Sequence, residues 1–391
     1  MTTRLAIRPM TSRQPAEPHR VATPLELLFD LVFVVAVAQA AAGLHHAVAE
    51  NHAATGVTGF VMVFFAIWWA WMNFTWFASA YDTDDVPYRI AVFVQMTGAL
   101  VVAAGVSRAM DDKDFTVITF GYVLMRLAAV SQWLRAAVSD PERRRTCLRY
   151  AIGITIVQIG WVLRLLLPDG APGMTGFVVL VIADLAVPVF AERGVSTAWH
   201  PHHIAERYSL FTIIVLGESI LSATVAVKSA MDAEDEIGYA HLGLTAIGGL
   251  LIVFSMWWLY FSKPAHDLLT SIRKSMLWGY GHYLIFGSAA AVGAGLAVSV
   301  DHAAHKAHIG SLGAGLAVTV PVAVFLVTLW LLHLRPHHAG RAHGWVGPVA
   351  AVLVLAASFT GEPVLVTGLV LVAAIVVGEY TRDRTEGAGQ D

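Results

Sequence analysis

The sequence predicts an all-α, polytopic transmembrane helical bundle, and three observations carry that expectation. Hydrophobic residues make up 57% of the 391-residue chain and charged residues only 14%, well short of the quarter that a soluble globular chain usually carries. The apolar residues gather into runs of roughly 18–25, the length a helix needs to cross a hydrocarbon core about 30 Å thick. Short polar stretches separate these runs along the whole chain. Inside lipid a helix satisfies its own backbone groups, so the bilayer is the first partner expected.

The elements follow in order. The opening "MTTRLAIRPMTSRQPAEPHR" is polar and basic, without a cleavable signal, and residues 1–24 read as a cytosolic tail. About twelve spans are expected near 25–47, 57–79, 89–107, 115–137, 148–168, 173–191, 206–228, 241–262, 278–299, 311–334, 346–361 and 363–380. Only "TGEP" at 360–363 divides the last two, as a hairpin turn or part of a re-entrant segment. Residues 381–391 form a second cytosolic tail.

Basic residues set the orientation. With the N-terminus inside, the inner segments "AYDTDDVPYR", "RAAVSDPERRRTCLRY", "AERGVSTAWHPHHIAER", "SKPAHDLLTSIRK", "LRPHHAGRAHG" and "YTRDRTEGAGQD", with the tail, hold about twenty of the 25 Lys and Arg. The outer side keeps Arg108, Lys113, Arg164, Lys228 and Lys306, beside the acidic "MDDKDF" and "MDAEDEIG". Both termini are therefore expected in the cytoplasm.

The chain also resembles itself. "WWAWMNF" at 68–74 and "WWLYFSK" at 257–263 each lie near the end of a second helix, followed by the small-residue helices "MTGALVVAAGVS" and "FGSAAAVGAGLA". Matching Phe29, Asp30 and Leu31 to Tyr208, Ser209 and Leu210 places Gln39 opposite Glu218. Two six-helix repeats, 25–199 and 200–380, are expected; with six spans each they share one orientation.

Ionisable groups at membrane depth are costly, so they are the informative residues. In the first helix Glu26 and Asp30 stand one turn apart on one face, with Gln39 further along on a nearby face. Glu26 fits an interfacial acid in a first helical turn, and Asp30 a functional or paired acid. In the second half Glu206 and Arg207 open the corresponding helix, and Glu218 lies about 18 Å further in, between Gly217 and Ser219. Gly217 is expected to let another helix approach closely. Glu218 reads either as an ion- or proton-binding acid or as the partner of a buried Arg. Arg126 and Asp184 are further buried charges, Asp184 facing the carbonyl gap left by Pro188, while Arg164 is expected to snorkel outward.

The 17 histidines include the pairs His45–His46, His202–His203 and His337–His338. His302, His305 and His308 have ligand-like spacing, but on a helix the outer two diverge; no metal site is assigned. His282 stands alone among aromatics at the start of an apolar helix and needs a hydrogen-bond partner. Trp68, Trp69, Trp71, Trp76, Trp257, Trp258, Tyr260 and Trp278 read as an interfacial belt. The single Cys147 excludes an internal disulfide and reads as an incidental loop thiol. No HExxH, Walker or GxSxG motif occurs, and no cofactor or nucleic-acid partner is assigned.

Three segments together, "TPLELLFDLVFVVAVAQ", "HIAERYSLFTIIVLGESIL" and "GHYLIFGSAAAVGAGL", resemble the bacterial low temperature requirement A (LtrA) family over most of the chain. The resemblance implies a multi-pass protein of the bacterial inner membrane, in a family named for growth in the cold, with no catalytic residues to carry over. The matching positions are Glu26, Phe29, Asp30, Gln39, Glu206, Arg207, Glu218, Ser219, Gly281, His282 and Tyr283. A fainter likeness links Phe29-Asp30 and Tyr208-Ser209 to the Phe-Ser-Asp motif of potassium channels with six-helix repeats; neither half holds the full tripeptide.

The leading expectation is a transporter or channel for a small ion or solute, with Asp30, Gln39, Glu218 and His282 on a polar path, in one or more copies of the chain. A membrane-embedded enzyme or cofactor protein, and a structural or sensory membrane component, are the alternatives.

Overall fold

A computed structural model describes residues 7–13, 20–232, 239–337 and 345–387. His338, most of the acidic "MDAEDEIG" and the ends of both tails lie outside the described residues. Every regular element among the described residues is a helix. In order they are α1 (Pro24–Ala49), α2 (Ala53–Tyr81), α3 (Val86–Asp111), α4 (Thr116–Ser139), α5 (Arg144–Arg164), α6 (Ala171–Ala191), α7 (Pro201–Met231), α8 (Tyr239–Phe261), α9 (Ile272–Ala303), α10 (Ser311–Leu329), α11 (Arg335–His337), α12 (Val346–Ala357) and α13 (Pro363–Gly387). A 3₁₀ turn, His266–Leu268, lies between α8 and α9, and a π-helical turn, Trp330–Leu334, joins α10 to α11.

Eleven of these, among the described residues, are long and apolar enough to cross a membrane. The expected span at 346–361 is corrected: α12 has 12 residues, rises about 18 Å and falls short of a hydrocarbon core. The turn that holds "TGEP" joins it to α13, against which it packs.

The chain forms two compact units. The first comprises residues 1–39 and 65–208, in which α3, α4, α5 and α6 pack as successive neighbours. A Cβ on Gly98 would stand 2.7 Å from the carbonyl oxygen of Gly121, so α3 and α4 touch backbone to backbone, the close approach that small residues permit. Beside that contact the Gln95 amide donates to Gln132 Oε1 at 2.8 Å.

The described part of the N-terminal tail is a strap on this unit. The last four carbonyls of α2, which a helix cannot satisfy itself, all find donors. Arg20 takes Ala78 (2.6 Å) and Ser79, the Arg13 N–H takes Ala80 at 3.0 Å, and Thr83 takes Tyr81 at 3.5 Å. At the start of α3, Asp85 caps the Tyr88 N–H at 3.0 Å and also accepts from the Arg8 N–H and from Arg135.

The second unit comprises residues 40–64 and 209–391, built on α9 against α10, α8 against α13, and α12 against α10 and α13. His45, His302, His305 and His308 lie here. Asp301 is taken by His45 at 2.7 Å and His308 by Glu50 at 2.9 Å. No group of three ligand-type side chains suited to a metal occurs among the described residues.

Two further expectations are corrected. Trp68, Trp69, Trp71, Trp76, Tyr260 and Trp278 are core residues, and only Trp257 and Trp258 are exposed, at 46% and 49%. Stacked aromatic neighbours, such as Phe65 on Trp69, bury the rings that the belt reading placed at an interface. Cys147 is a buried residue of α5 with its sulfur 3.4 Å from the Tyr81 hydroxyl, because helix α5 begins three residues before it.

Two outcomes are expected. Gly98→Leu forces α3 from α4 and lowers the melting temperature in detergent, at a cost of about 1–3 kcal/mol; an unchanged melting curve would refute the backbone contact. Burial raises the Asp85 carboxyl, but Arg135 and the Arg8 and Tyr88 N–H groups outweigh it and hold it at about 2, below the ordinary 3.8. An acid depressed in the fold stabilises it above the unfolded value and loses that contribution as pH falls. Protease resistance of the tail is thus expected to decline between about pH 4 and pH 2, and to show no such limb in Asp85→Asn.

Candidate functional site

The most concentrated buried chemistry in the first unit begins where α1 begins. "TPLE" has the Thr-x-x-Glu spacing of a capping box, and it forms one. The Glu26 N–H donates to Thr23 Oγ1 at 3.3 Å, and the Thr23 N–H donates to Glu26 Oε2 at 2.8 Å. Glu26 is thereby turned back over the helix start, its other oxygen, Oε1, 2.9 Å from Arg207 Nη1 and 3.0 Å from His203 Nε2.

One turn on, Asp30 receives Arg207 on both oxygens, Nη2 at 2.5 Å and Nε at 3.3 Å, in the two-pronged geometry a guanidinium favours. The Trp71 indole donates to Asp30 at 2.7 Å. Arg207 Nη2 also lies 3.3 Å from the Glu26 carbonyl. Phe74 lies 6.0 Å from the guanidinium carbon and stacks on Phe29. The pattern follows from two i, i+4 pairs, Glu26/Asp30 on α1 and His203/Arg207 on α7, which meet face to face.

Glu26, Asp30, His203 and Arg207 are each at most 1% exposed. Glu26 is therefore a buried member of the cluster, which corrects the interfacial reading; its capping bond uses one oxygen and leaves the other for α7. The four groups hold two carboxylates against one guanidinium. With a neutral imidazole the cluster carries one net negative charge, and a proton on His203 cancels it. Arg20, the further basic neighbour on the tail, has Asp82 at 4.0 Å.

The other sequence candidates fall in several places. Glu206 is half-buried and accepts from the Ala22 N–H at 3.2 Å. Gln39 is exposed, about 13 Å beyond Asp30 by helical rise, and joins neither acid. Arg126 and Asp184 meet at 3.4 Å. Asp184 also receives Trp161 at 2.8 Å and Tyr122 at 3.5 Å, while Arg126 reaches Tyr122 at 2.5 Å. The Asp184 carboxylate is thus taken up by side chains of α4 and α5 rather than by a gap at Pro188. Arg164 donates to the Gly173 carbonyl at 3.2 Å and lies over Phe115 and Phe177.

In the second unit Glu218 is half-buried and accepts from Ser222 at 3.4 Å; it has no ion-pair partner among the described residues. Ser219 donates to the Ala289 carbonyl at 2.9 Å, and a Cβ on Gly293 would stand 2.8 Å from Ser219 Cα. The close approach to α7 is therefore at Ser219. Gly217 has open space where a Cβ would stand, which corrects that expectation. His282 is buried, with Nδ1 2.8 Å from the Trp278 carbonyl and Nε2 3.0 Å from the Tyr260 hydroxyl. His333, on the π turn, accepts from the Trp278 indole at 3.0 Å.

Sequence reasoning gave no site role to His203, Trp71, Tyr122, Trp161 or His333. The spacing of His203 to Arg207 in "HHIAER" was the available signal for one of them. The indoles carried none, since a Trp in an apolar run looks the same whether or not it meets a carboxylate.

Arg207→Met strands two buried carboxylates and is expected to cost about 3–5 kcal/mol, whereas the apolar double replacement Asp30→Leu/Arg207→Met recovers much of that loss. Thermal unfolding in detergent measures both. A single variant as stable as the parent would show that the pair does not hold α1 to α7.

The match to known proteins covers this whole architecture. The family model described as bacterial low temperature requirement A protein (LtrA) matches residues 21–378. An uncharacterized protein of Rhizobium meliloti (strain 1021) is 28% identical over 382 residues, covering 91% of this chain and 88% of the relative. With its eleven apolar helices and a family match from the start of α1 into α13, the chain belongs to the LtrA family of multi-pass membrane proteins.

Proposed function

We propose that the protein is a transporter or channel for a small ion or solute in the bacterial plasma membrane, with the α1–α7 cluster as its protonation site. The observation that carries this reading is the charge count: a fully buried cluster has one carboxylate more than it has guanidinium groups, with an imidazole seated on the surplus acid. Burial makes an unbalanced charge costly, so the cluster exchanges a proton more readily than a balanced pair does. Glu218 supports the same reading. An acid far along a 31-residue apolar helix, with no cationic partner among the described residues, is kept where it meets a proton, a cation or water. Two repeats, 25–199 with six crossing helices and 200–380 with five and the short α12, are the frame proposed for it; eleven crossings among the described residues leave the two termini on opposite sides, in place of the expected pair of cytoplasmic ends. Gln39 and His282 are proposed to line the path; Arg126, Asp184 and Ser219 hold helices together.

A structural or sensory role is the second reading, favoured by the closure of Asp30 on Arg207 and of Asp184 on Arg126. Flux separates the two. Purified protein in liposomes is expected to dissipate a proton or monovalent-cation gradient faster than empty vesicles do. His203→Gln and Glu218→Gln are expected to abolish that flux while leaving the protein folded. Vesicles with parent protein that leak no faster than empty ones, for every ion tried, would remove the transport reading.

A further inference from the structure

A groove of about 260 Å³ opens between α4 and α5 of the first unit. Its walls are aliphatic, Val123, Val130, Ile154 and Val162 among them, with three polar residues in the lining, Arg126, Thr155 and Gln158; the Thr155 hydroxyl is spent on the Ala151 carbonyl at 2.7 Å. Gln158 is 8% exposed, and both ends of its amide lack a hydrogen-bond partner. A buried amide offers two donors and an acceptor, and leaving them unused is expensive enough that native structures rarely do so. Its neighbour Arg126 is already balanced by Asp184, so the hydrogen-bonding capacity held in the groove wall is uncharged, and a rotation of the Gln158 side chain would turn its amide into the groove.

Depth narrows the ligand. Arg126 lies 13 residues before the end of α4 and Gln158 lies 14 residues after the start of α5. Both are therefore about 20 Å from the turn joining the two helices, at one level inside the hydrocarbon. Phospholipid headgroups and their ester carbonyls sit at the edge of that layer and do not reach this level. A cavity of about 150 Å³ with apolar walls accommodates benzene; this groove holds a larger, substituted ring. Leu127 and Ile159, also in its lining, are 62% and 55% accessible and form its apolar rim.

We infer that the α4–α5 groove binds an uncharged isoprenoid quinone, its ring carbonyl accepting from the Gln158 amide and its tail lying along Leu127 and Ile159. The ligand has what the site lacks: carbonyl acceptors on a flat apolar ring, joined to an aliphatic chain that lives in the bilayer. This binding does not depend on the transport reading, because it is measured without a gradient.

The test titrates the full-length protein in detergent with a decyl-substituted benzoquinone and follows quenching of tryptophan fluorescence; Trp161 lies on α5, one turn from Gln158. Saturable quenching is expected in the parent, with the dissociation constant raised at least tenfold in Gln158→Leu. Val130→Trp, which fills the groove without touching the amide, is expected to act likewise, and melting curves show whether each variant is folded. Organic extracts of protein purified from native membranes are expected to contain quinone, and less of it in both variants. Quenching that does not saturate, or is equal in parent and variants, would overturn the inference. So would competition by a diacyl phospholipid at equal concentration, which would make the groove an acyl-chain seat.

Discussion

Arg207 is a guanidinium with no exposed surface, inside a helix that otherwise reads as lipid-compatible. Moving such a group out of water is tolerable only if opposite charge and hydrogen-bond acceptors meet it at once. Much of the first unit around it can be understood as that answer. Asp30 offers both carboxylate oxygens, Glu26 offers one oxygen and its backbone carbonyl, and Phe74 closes one side. Glu26 can do this because the capping box turns it inward at the start of α1. The tail that leads to Thr23 is fastened in turn by Arg20 on the open carbonyls of α2.

The same logic recurs at Arg126 and Asp184, where two aromatic hydrogen-bond donors complete the pair. In lipid there is little hydrophobic force to bring one helix against another, so small residues and polar contacts decide which helices pack. Gly98 against Gly121 and Gln95 against Gln132 serve α3 and α4 in this way. Ser219 against Gly293 serves α7 and α9. The buried charges thus do two things at once: they select helix partners, and they leave a small set of protonatable groups inside an apolar body.

These groups differ in how fully they are matched. Asp30 and Asp184 have guanidinium partners. Glu26 shares one with Asp30 and has an imidazole besides. Glu218 has a serine. This gradation, rather than the mere presence of acids in apolar helices, is what gives the functional reading its order of importance. It also separates the site from the α4–α5 groove, where the charge is balanced and an amide is left with its hydrogen-bonding capacity open.

The architecture was largely legible in the amino-acid order, because spanning a hydrocarbon layer imposes a length and a composition that each helix must meet on its own. Eleven spans and the family could be read that way; α12 could not, since whether an apolar run crosses or turns back depends on where its neighbours end. Glu26, Asp30 and Arg207 stood out because a charge in an apolar run is visible in one dimension. Their partnership was not, and neither were Trp71, Tyr122 or Trp161, whose indole and phenol groups look apolar until a carboxylate is placed beside them. The repeat alignment set Gln39 opposite Glu218, yet the structure leaves Gln39 exposed and brings Asp30 to Arg207. Sequence determines which residues cannot be left in lipid alone; only the packing of helices far apart in the chain decides which of them meet, because that depends on helix rotation and close approach.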